Sequence, residues 1–208
     1  MTDVILYGLP PSSYVRTAMM ILACKGVPYT LTPVNFRSEE YRATHPFSRM
    51  PALKHGEVQL FESLAIGSYV DDMFDGPALI PSDPVARARM FQWISVVNDY
   101  VYDVMVRQCV AERFVKPMRG LDPDEEKIAA AKPLIATQLA VLEEALTADY
   151  LCGDTLSLAD LFLAPILAYL GGTPEGRDLL PAHARLAAWQ ERMAQPPGYS
   201  EINPISPV

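Results

Sequence analysis

The stretch Val4-Ile5-Leu6-Tyr7-Gly8-Leu9-Pro10-Pro11-Ser12-Ser13, followed on to Val34, decides the fold. Val4 to Tyr7 is a short apolar run closed by Gly8, the pattern of a buried strand. Pro10-Pro11 ends that strand, and either Ser12 or Ser13 can cap the helix that follows. From Tyr14 to Lys25 the apolar residues Val15, Ala18, Met19, Leu22 and Ala23 recur at helical spacing. Gly26 stops this helix at the C′ position, with Pro28 beyond. Tyr29 to Val34 reads as a second strand. Strand, helix and strand over about thirty residues form a βαβ unit with parallel strands.

Outward from that unit, Ser38 to Thr44 is a polar helical turn. Ala52 to Lys54 and Val58 to Phe61 are two further strands, joined by the short hairpin connection His55-Gly56-Glu57. A helix runs from Glu62 to Phe74, with Leu64, Ala65, Tyr69 and Met73 among its apolar positions. The order βαβαββα predicts an α/β, thioredoxin-like N-terminal domain over residues 1–76. Residues 77–84 lie in a Pro- and Gly-rich run and read as a linker. Residues 85–208 carry no strand signal and are expected to form an all-α helical domain. Its periodicities run from Val85 to Arg113, Pro123 to Leu146, Ser157 to Leu170 and His183 to Met193. The tail from Pro196 is expected to lie extended on the surface.

The chain has 208 residues, half of them apolar and a fifth charged, which suits one large packed domain or two small ones. A formal charge of −8 argues against nucleic acid as a partner. Cys24, Cys109 and Cys152 are odd in number and far apart, with no CxxC pair. A disulfide framework, a zinc knuckle and a dithiol site are therefore disfavoured. His45, His55 and His183 are equally scattered, so no metal site is expected. The opening residues show no basic leader before an apolar run. The most apolar later segment, Leu161 to Leu170, is interrupted by Pro165 and falls short of the roughly 20 residues that cross a bilayer. A cytoplasmic location without membrane attachment is the expectation.

Gly8-Leu9-Pro10-Pro11-Ser12 with Arg16, then Met50-Pro51, then Phe61-Glu62-Ser63, resembles the glutathione site of the serine-type cytosolic glutathione transferases, in their phi- and theta-like bacterial form. Ser157-Leu158-Ala159-Asp160 is similar to that family's N-capping box. The pieces keep one order over nearly the whole chain. The resemblance implies a homodimeric detoxification enzyme that ionises glutathione, its co-substrate, and joins it to a small apolar electrophile. Alternatives on the same fold are a glutathione-dependent isomerase, dehalogenase or peroxidase, or a non-catalytic ligand-binding or scaffold protein.

Each candidate residue has a chemical reason. An ordinary thiol, with a pKa near 8.5, is only a few per cent ionised at pH 7, and lowering that pKa by two units takes roughly 2.7 kcal/mol. A hydroxyl donated to a charged sulfur supplies about 1.5–3 kcal/mol, and the positive end of a helix around 0.3–2 kcal/mol. Ser12 at the mouth of the first helix is the leading catalytic candidate; Tyr7 at the strand end and Ser13 are alternatives. Arg16 lies one helical turn beyond Ser12 and is assigned to shaping the site.

The resemblance implies a cis proline at Met50-Pro51 that turns the Met50 backbone toward the cysteinyl unit of glutathione. Ser63 at a helix N-terminus suits a carboxylate, and Glu62 beside it an α-amino group, which matches the γ-glutamyl end. Arg49 and Arg37 fit the positions that meet the glycine carboxylate, where the planar guanidinium can pair bidentately. Phe36 departs from the family pattern, which often has a polar or histidine contact there. Ser157 and Asp160 read as a structural capping box, with Leu156 and Leu161 as its hydrophobic staple. An acceptor pocket is expected between the two halves, bordered by Tyr14 and by Tyr100, Tyr102, Met105 and Phe114. Asp99 or Asp103 is a candidate for reaching a partner subunit's glutathione.

Overall fold

The computed structural model describes residues 3–203. The chain divides into two compact units. The first runs through Ile80 and takes in Pro196–Ile202; the second spans Pro81–Gln195.

In the first unit the elements are β1 (Val4–Tyr7), α1 (Ser13–Cys24), β2 (Thr30–Thr32), α2 (Glu39–Thr44), β3 (Ala52–His55), β4 (Val58–Phe61) and α3 (Ser63–Met73). This is the order read from the sequence. The four strands lie as β2-β1-β3-β4. β1 is parallel to β2, with Leu6 opposite Leu31, and antiparallel to β3, with Leu6 opposite Leu53. α1 and α3 pack together. The core joins Leu6 and Leu53 to Val15, Ile21 and Leu22 of α1 and to Ile66 and Val70 of α3, all fully buried. Burying one such aliphatic side chain contributes about 1.5–3 kcal/mol. A Cβ at Gly8 would collide with the Val15 side chain, so glycine lets the loop after β1 close tightly on α1.

Three local expectations are corrected. β2 is three residues long, because Pro33 has no N–H to extend a ladder. His55 belongs to β3, paired with Val58, which leaves a two-residue turn whose first residue, Gly56, has φ +60°. The chain after Pro196 is not simply extended: Tyr199–Ile202 forms a helical turn, α10, that packs on α1 and buries Ile202.

The segment expected as a linker is partly anchored. Buried Lys25 donates from Nζ to the Asp71 carboxylate at 3.0 Å and to the Pro77 carbonyl at 3.2 Å. Asp71 in turn accepts the N–H groups of Leu79 and Ile80 at 2.8 and 3.0 Å. Both charges are satisfied by several partners, which is what makes a buried pair tolerable.

The second unit is helical. α4 (Pro84–Val96) is capped by the Asp83 carboxylate, which accepts from the Ala86 N–H at 2.8 Å, with Pro84 at the first helical position. It continues without a break as a wider, π-type helix over Val97–Val115 and ends in α5 (Lys116–Met118). α6 (Glu125–Ala145), α7 (Leu158–Gly172), α8 (Pro174–Leu179), a 3₁₀ turn at Leu180–Ala182 and α9 (Ala184–Met193) follow. α8, six residues long, is too short to show a helical periodicity in the sequence. Its start is nevertheless well marked, by Thr173 as cap and Pro174 behind it. α7 is buried almost throughout, including Leu161, Phe162, Leu163 and Leu167. No helix among the described residues is long and apolar enough to cross a membrane.

Candidate functional site

The strand register brings the candidate residues to one edge of the first unit. Tyr7 closes β1 and pairs with both Thr32 and Ala52, and Ala52 pairs with Phe61. Thr32, Tyr7, Ala52 and Phe61 therefore stand side by side across the sheet. Whatever immediately follows β1, β2 and β4, or precedes β3, must emerge at that same end. Those segments are Gly8 to Ser12, the approach to Arg37, Met50-Pro51 and Glu62-Ser63. Neighbouring strands are about 4.8 Å apart, so β1 and β4 are separated by about 10 Å. A tripeptide at about 3.3 Å per residue spans that distance.

Ser12 is the N-cap of α1. Its Oγ accepts the Val15 N–H at 3.4 Å, and its carbonyl accepts the Arg16 N–H at 2.9 Å. A hydroxyl that accepts as a cap keeps its own O–H for donation, so capping and thiolate stabilisation do not compete. Ser12 is half-buried, whereas Ser13 is buried inside the first turn. Tyr7 is half-buried, its ring 6.5 Å from that of Tyr41. Tyr14 is half-buried in the first turn of α1. Arg16 is buried and donates from Nε to the Pro10 carbonyl at 2.9 Å, which ties the helix to the loop that leads into it.

Met50-Pro51 is the cis peptide bond of the described chain. The Leu9 N–H donates to the Met50 sulfur at 3.3 Å and so joins the loop after β1 to this turn. Arg49 and Arg37 are exposed, free to reach a ligand from the surface. Phe36 makes an edge contact with Tyr41, ring centroids 6.0 Å apart.

Glu62 is the N-cap of α3 but makes no side-chain capping bond; its side chain is exposed, and Ser63 is buried behind it. Two non-glycine residues in the described chain have positive φ, Ser48 at +49° and Glu62 at +72°. One sits immediately before Arg49-Met50-Pro51, the other immediately before Ser63. Such backbone costs of order 1–3 kcal/mol and gathers where a precise presentation is needed.

Two residues that support this edge were not singled out from the sequence. Tyr41, on α2, donates from its hydroxyl to the Arg49 carbonyl at 2.6 Å, and burial pushes its pKa up to about 12. His45, one turn later, is 1% exposed, with its ring 4.9 Å from Phe61. Burial lowers its pKa, with Glu62 opposing and Arg49 reinforcing the shift. The visible signal was the i, i+4 placement of Tyr41 and His45 just before the Met50-Pro51 turn.

The candidate acceptor residues of the second unit differ in exposure and in neighbours. Met105 is wholly buried in the helical core, and Tyr100 is exposed. Tyr102 lies under the Arg107 guanidinium, 5.4 Å from it. Phe114 meets Tyr169, with ring centroids 6.4 Å apart. Asp103 pairs with Arg107 at 3.6 Å and Asp99 is exposed. These residues lie on one continuous helix, which presents different faces to core and solvent.

Asp160 is structural. Fully buried, it accepts from the Leu151 N–H, the Ser157 N–H, the Ser157 hydroxyl and the Trp189 indole N–H, all within 3.0 Å.

Comparison with known proteins accords with this geometry. Residues 2–72 match the family model of the glutathione S-transferase N-terminal domain, and residues 125–192 that of the C-terminal domain. A glutathione S-transferase of Hyoscyamus muticus is 30% identical, over 94% of this chain and 95% of its own. The structure of a theta class glutathione S-transferase from Xanthomonas axonopodis pv. citri, with glutathione bound, is 28% identical, with a TM-score of 0.89 over the whole of both chains. That of glutathione S-transferase I from maize, in complex with an atrazine glutathione conjugate, is 27% identical, with a TM-score of 0.88 over 98% of this chain and 97% of its own. The chain belongs to the glutathione S-transferase family.

Proposed function

We propose that this protein ionises glutathione at the mouth of α1 and transfers it to an apolar electrophile. The observation that carries the proposal is the convergence of Ser12, Met50-Pro51 and Glu62-Ser63 at one end of the sheet, over a span a tripeptide can bridge. In this reading the Ser12 hydroxyl donates to the sulfur and the N-terminus of α1 adds its positive field. Met50 offers its backbone to the cysteinyl unit. Ser63 and the start of α3 take the γ-glutamyl carboxylate, Glu62 takes the α-amino group, and Arg49 with Arg37 takes the glycine carboxylate.

Arg16 does not touch the sulfur in this scheme; it fixes the loop that carries Ser12. Catalysis comes from a thiolate that is present before the electrophile arrives and is held beside it. The enzyme acts in the cytoplasm as a homodimer, and Tyr14 borders the acceptor.

Initial rates with 1-chloro-2,4-dinitrobenzene, together with calorimetric titration of glutathione, test the proposal. Glutathione binding with a chromogenic product is the expected result. Failure of millimolar glutathione to bind would overturn it.

A further inference from the structure

His45 joins, within the first unit, the two segments that carry the candidate ligand groups. Its N–H donates to the Tyr41 carbonyl at 2.8 Å at the end of α2, and its carbonyl accepts the Ser48 N–H at 2.8 Å. The second bond closes the turn His45-Pro46-Phe47-Ser48, which leads directly into Arg49 and Met50. The imidazole reaches the other segment, its centroid 4.9 Å from that of Phe61, the residue before Glu62-Ser63. A second tie between α2 and β4 is the Gln59 amide, which donates to the Ala43 carbonyl at 3.2 Å.

The ring is sealed from solvent, and its Nδ1 has no hydrogen-bond partner among the described residues. A buried polar atom left unpaired costs about 1–3 kcal/mol. On packing grounds alone a phenyl ring would suit this surrounding of Tyr41, Phe47 and Phe61 better. What an imidazole adds is a proton. The titratable side chains that face it are Tyr41 from α2, Arg49 from the turn and Glu62 from the end of β4. Tyr41 is held neutral, its pKa pushed up to about 12 by burial. Burial disfavours the imidazolium most; Glu62 and the residue's own backbone favour it, and Arg49 opposes it. Glu62 is thus the group that a protonated His45 draws toward itself.

We propose that His45 is a positioning residue for glutathione: its neutral ring holds the Arg49-Met50 turn against Glu62-Ser63, and its protonation weakens ligand binding. This role rests on the reading above, in which Glu62 takes the α-amino group of glutathione. A protonated ring competes with that amino group for the one Glu62 carboxylate and sets a second cation beside Arg49. Linkage makes the effect reciprocal, so bound ligand holds the proton off His45. A tenfold preference of the ligand for the neutral form moves the His45 titration about one pH unit lower.

The test is calorimetric titration of the full chain with S-methylglutathione, which has no thiol; its carboxylates titrate below about pH 5 and its amino group above about pH 7. The expected Kd is about three- to fivefold higher at pH 5 than at pH 7, with no such change in His45→Phe. Histidine proton resonances of the unaltered protein, followed against pH, give a second measurement. Of His45, His55 and His183, the signal missing from His45→Phe is expected to titrate about one pH unit lower with saturating ligand. His55→Gln and His183→Gln assign that signal if His45→Phe does not fold. A purely structural role moves neither reading, since both are taken on folded protein. An acid loss of equal size in His45→Phe would assign the effect to Glu62 and overturn the proposal, as would a His45 titration that ligand leaves in place. Absence of binding at pH 7 would overturn the glutathione reading itself, and this role with it.

Discussion

Arg16 donates to the carbonyl of Pro10 at 2.9 Å, across the turn that carries Ser12. The helix thus holds in place the loop from which it begins. A buried guanidinium used this way positions a neighbour rather than reacting. Arg16→Met is expected to lower kcat by roughly tenfold, with a smaller change in glutathione affinity, because loosening a preorganised donor costs transition-state stabilisation first. Recovery by Arg16→Lys is expected to be partial, since Lys lacks the planar fork. Steady-state kinetics of the two variants check this; equal kcat in all three proteins would remove Arg16 from the site.

Ser12→Ala removes the proposed donor to sulfur while leaving the α1 backbone in place. The expected loss in kcat/KM is about 100-fold, the scale of one donor aimed at a developing or resident anion. The thiol pKa of bound glutathione, read from thiolate absorbance against pH, is expected to rise toward its free value. If Tyr7→Phe abolishes activity and Ser12→Ala does not, the donor is Tyr7.

Ser63→Ala and Glu62→Gln address the opposite end of the tripeptide. Each is expected to raise the KM for glutathione about tenfold, with kcat much less affected, as for an interaction of equal strength in ground and transition states. Glu62 makes no capping bond of its own, so Glu62→Gln should leave thermal stability almost unchanged.

His45 supplies a pH dependence. Burial lowers its pKa in the folded chain below the usual 6.5 or so, hence the unfolded chain binds the proton more tightly. The groups that face it are Tyr41 from α2, Phe47 and Arg49 from the following turn, and Phe61 and Glu62 from the end of β4. Its contribution to stability is complete above about pH 6.5 and is lost as pH falls toward the lowered value. Urea denaturation between pH 7.5 and 5 is expected to show falling stability, with a shallower slope in His45→Asn. An unchanged slope would show that other groups govern acid loss.

Asp160→Ala leaves the Leu151 N–H, the Ser157 groups and the Trp189 indole N–H without their acceptor. Buried donors left unpaired cost about 1–3 kcal/mol each, and loss of the cap adds about 0.5–2 kcal/mol. A loss of about 3 kcal/mol or more in unfolding free energy is expected, read as a lower urea midpoint. Activity per folded molecule should stay near that of the unaltered protein.

The amino-acid sequence alone determined the order βαβαββα, the helical second half and the residue types of the candidate site. It could do so because strand runs, helical periodicity, prolines and caps act over a few neighbouring residues and leave a local trace. Ser12, Met50-Pro51 and Glu62-Ser63 were legible for the same reason: each sits at the end of a local element. What only tertiary structure decided was which strand ends share an edge, and that depends on the register of β1 with β3 and of β3 with β4. It also decided that Tyr41 holds the Arg49 carbonyl, that His45 is buried, and that Met105 faces the core while Tyr100 does not. Contacts between residues far apart in the chain follow from how apolar surfaces pack, and packing has no signature in any single window of sequence.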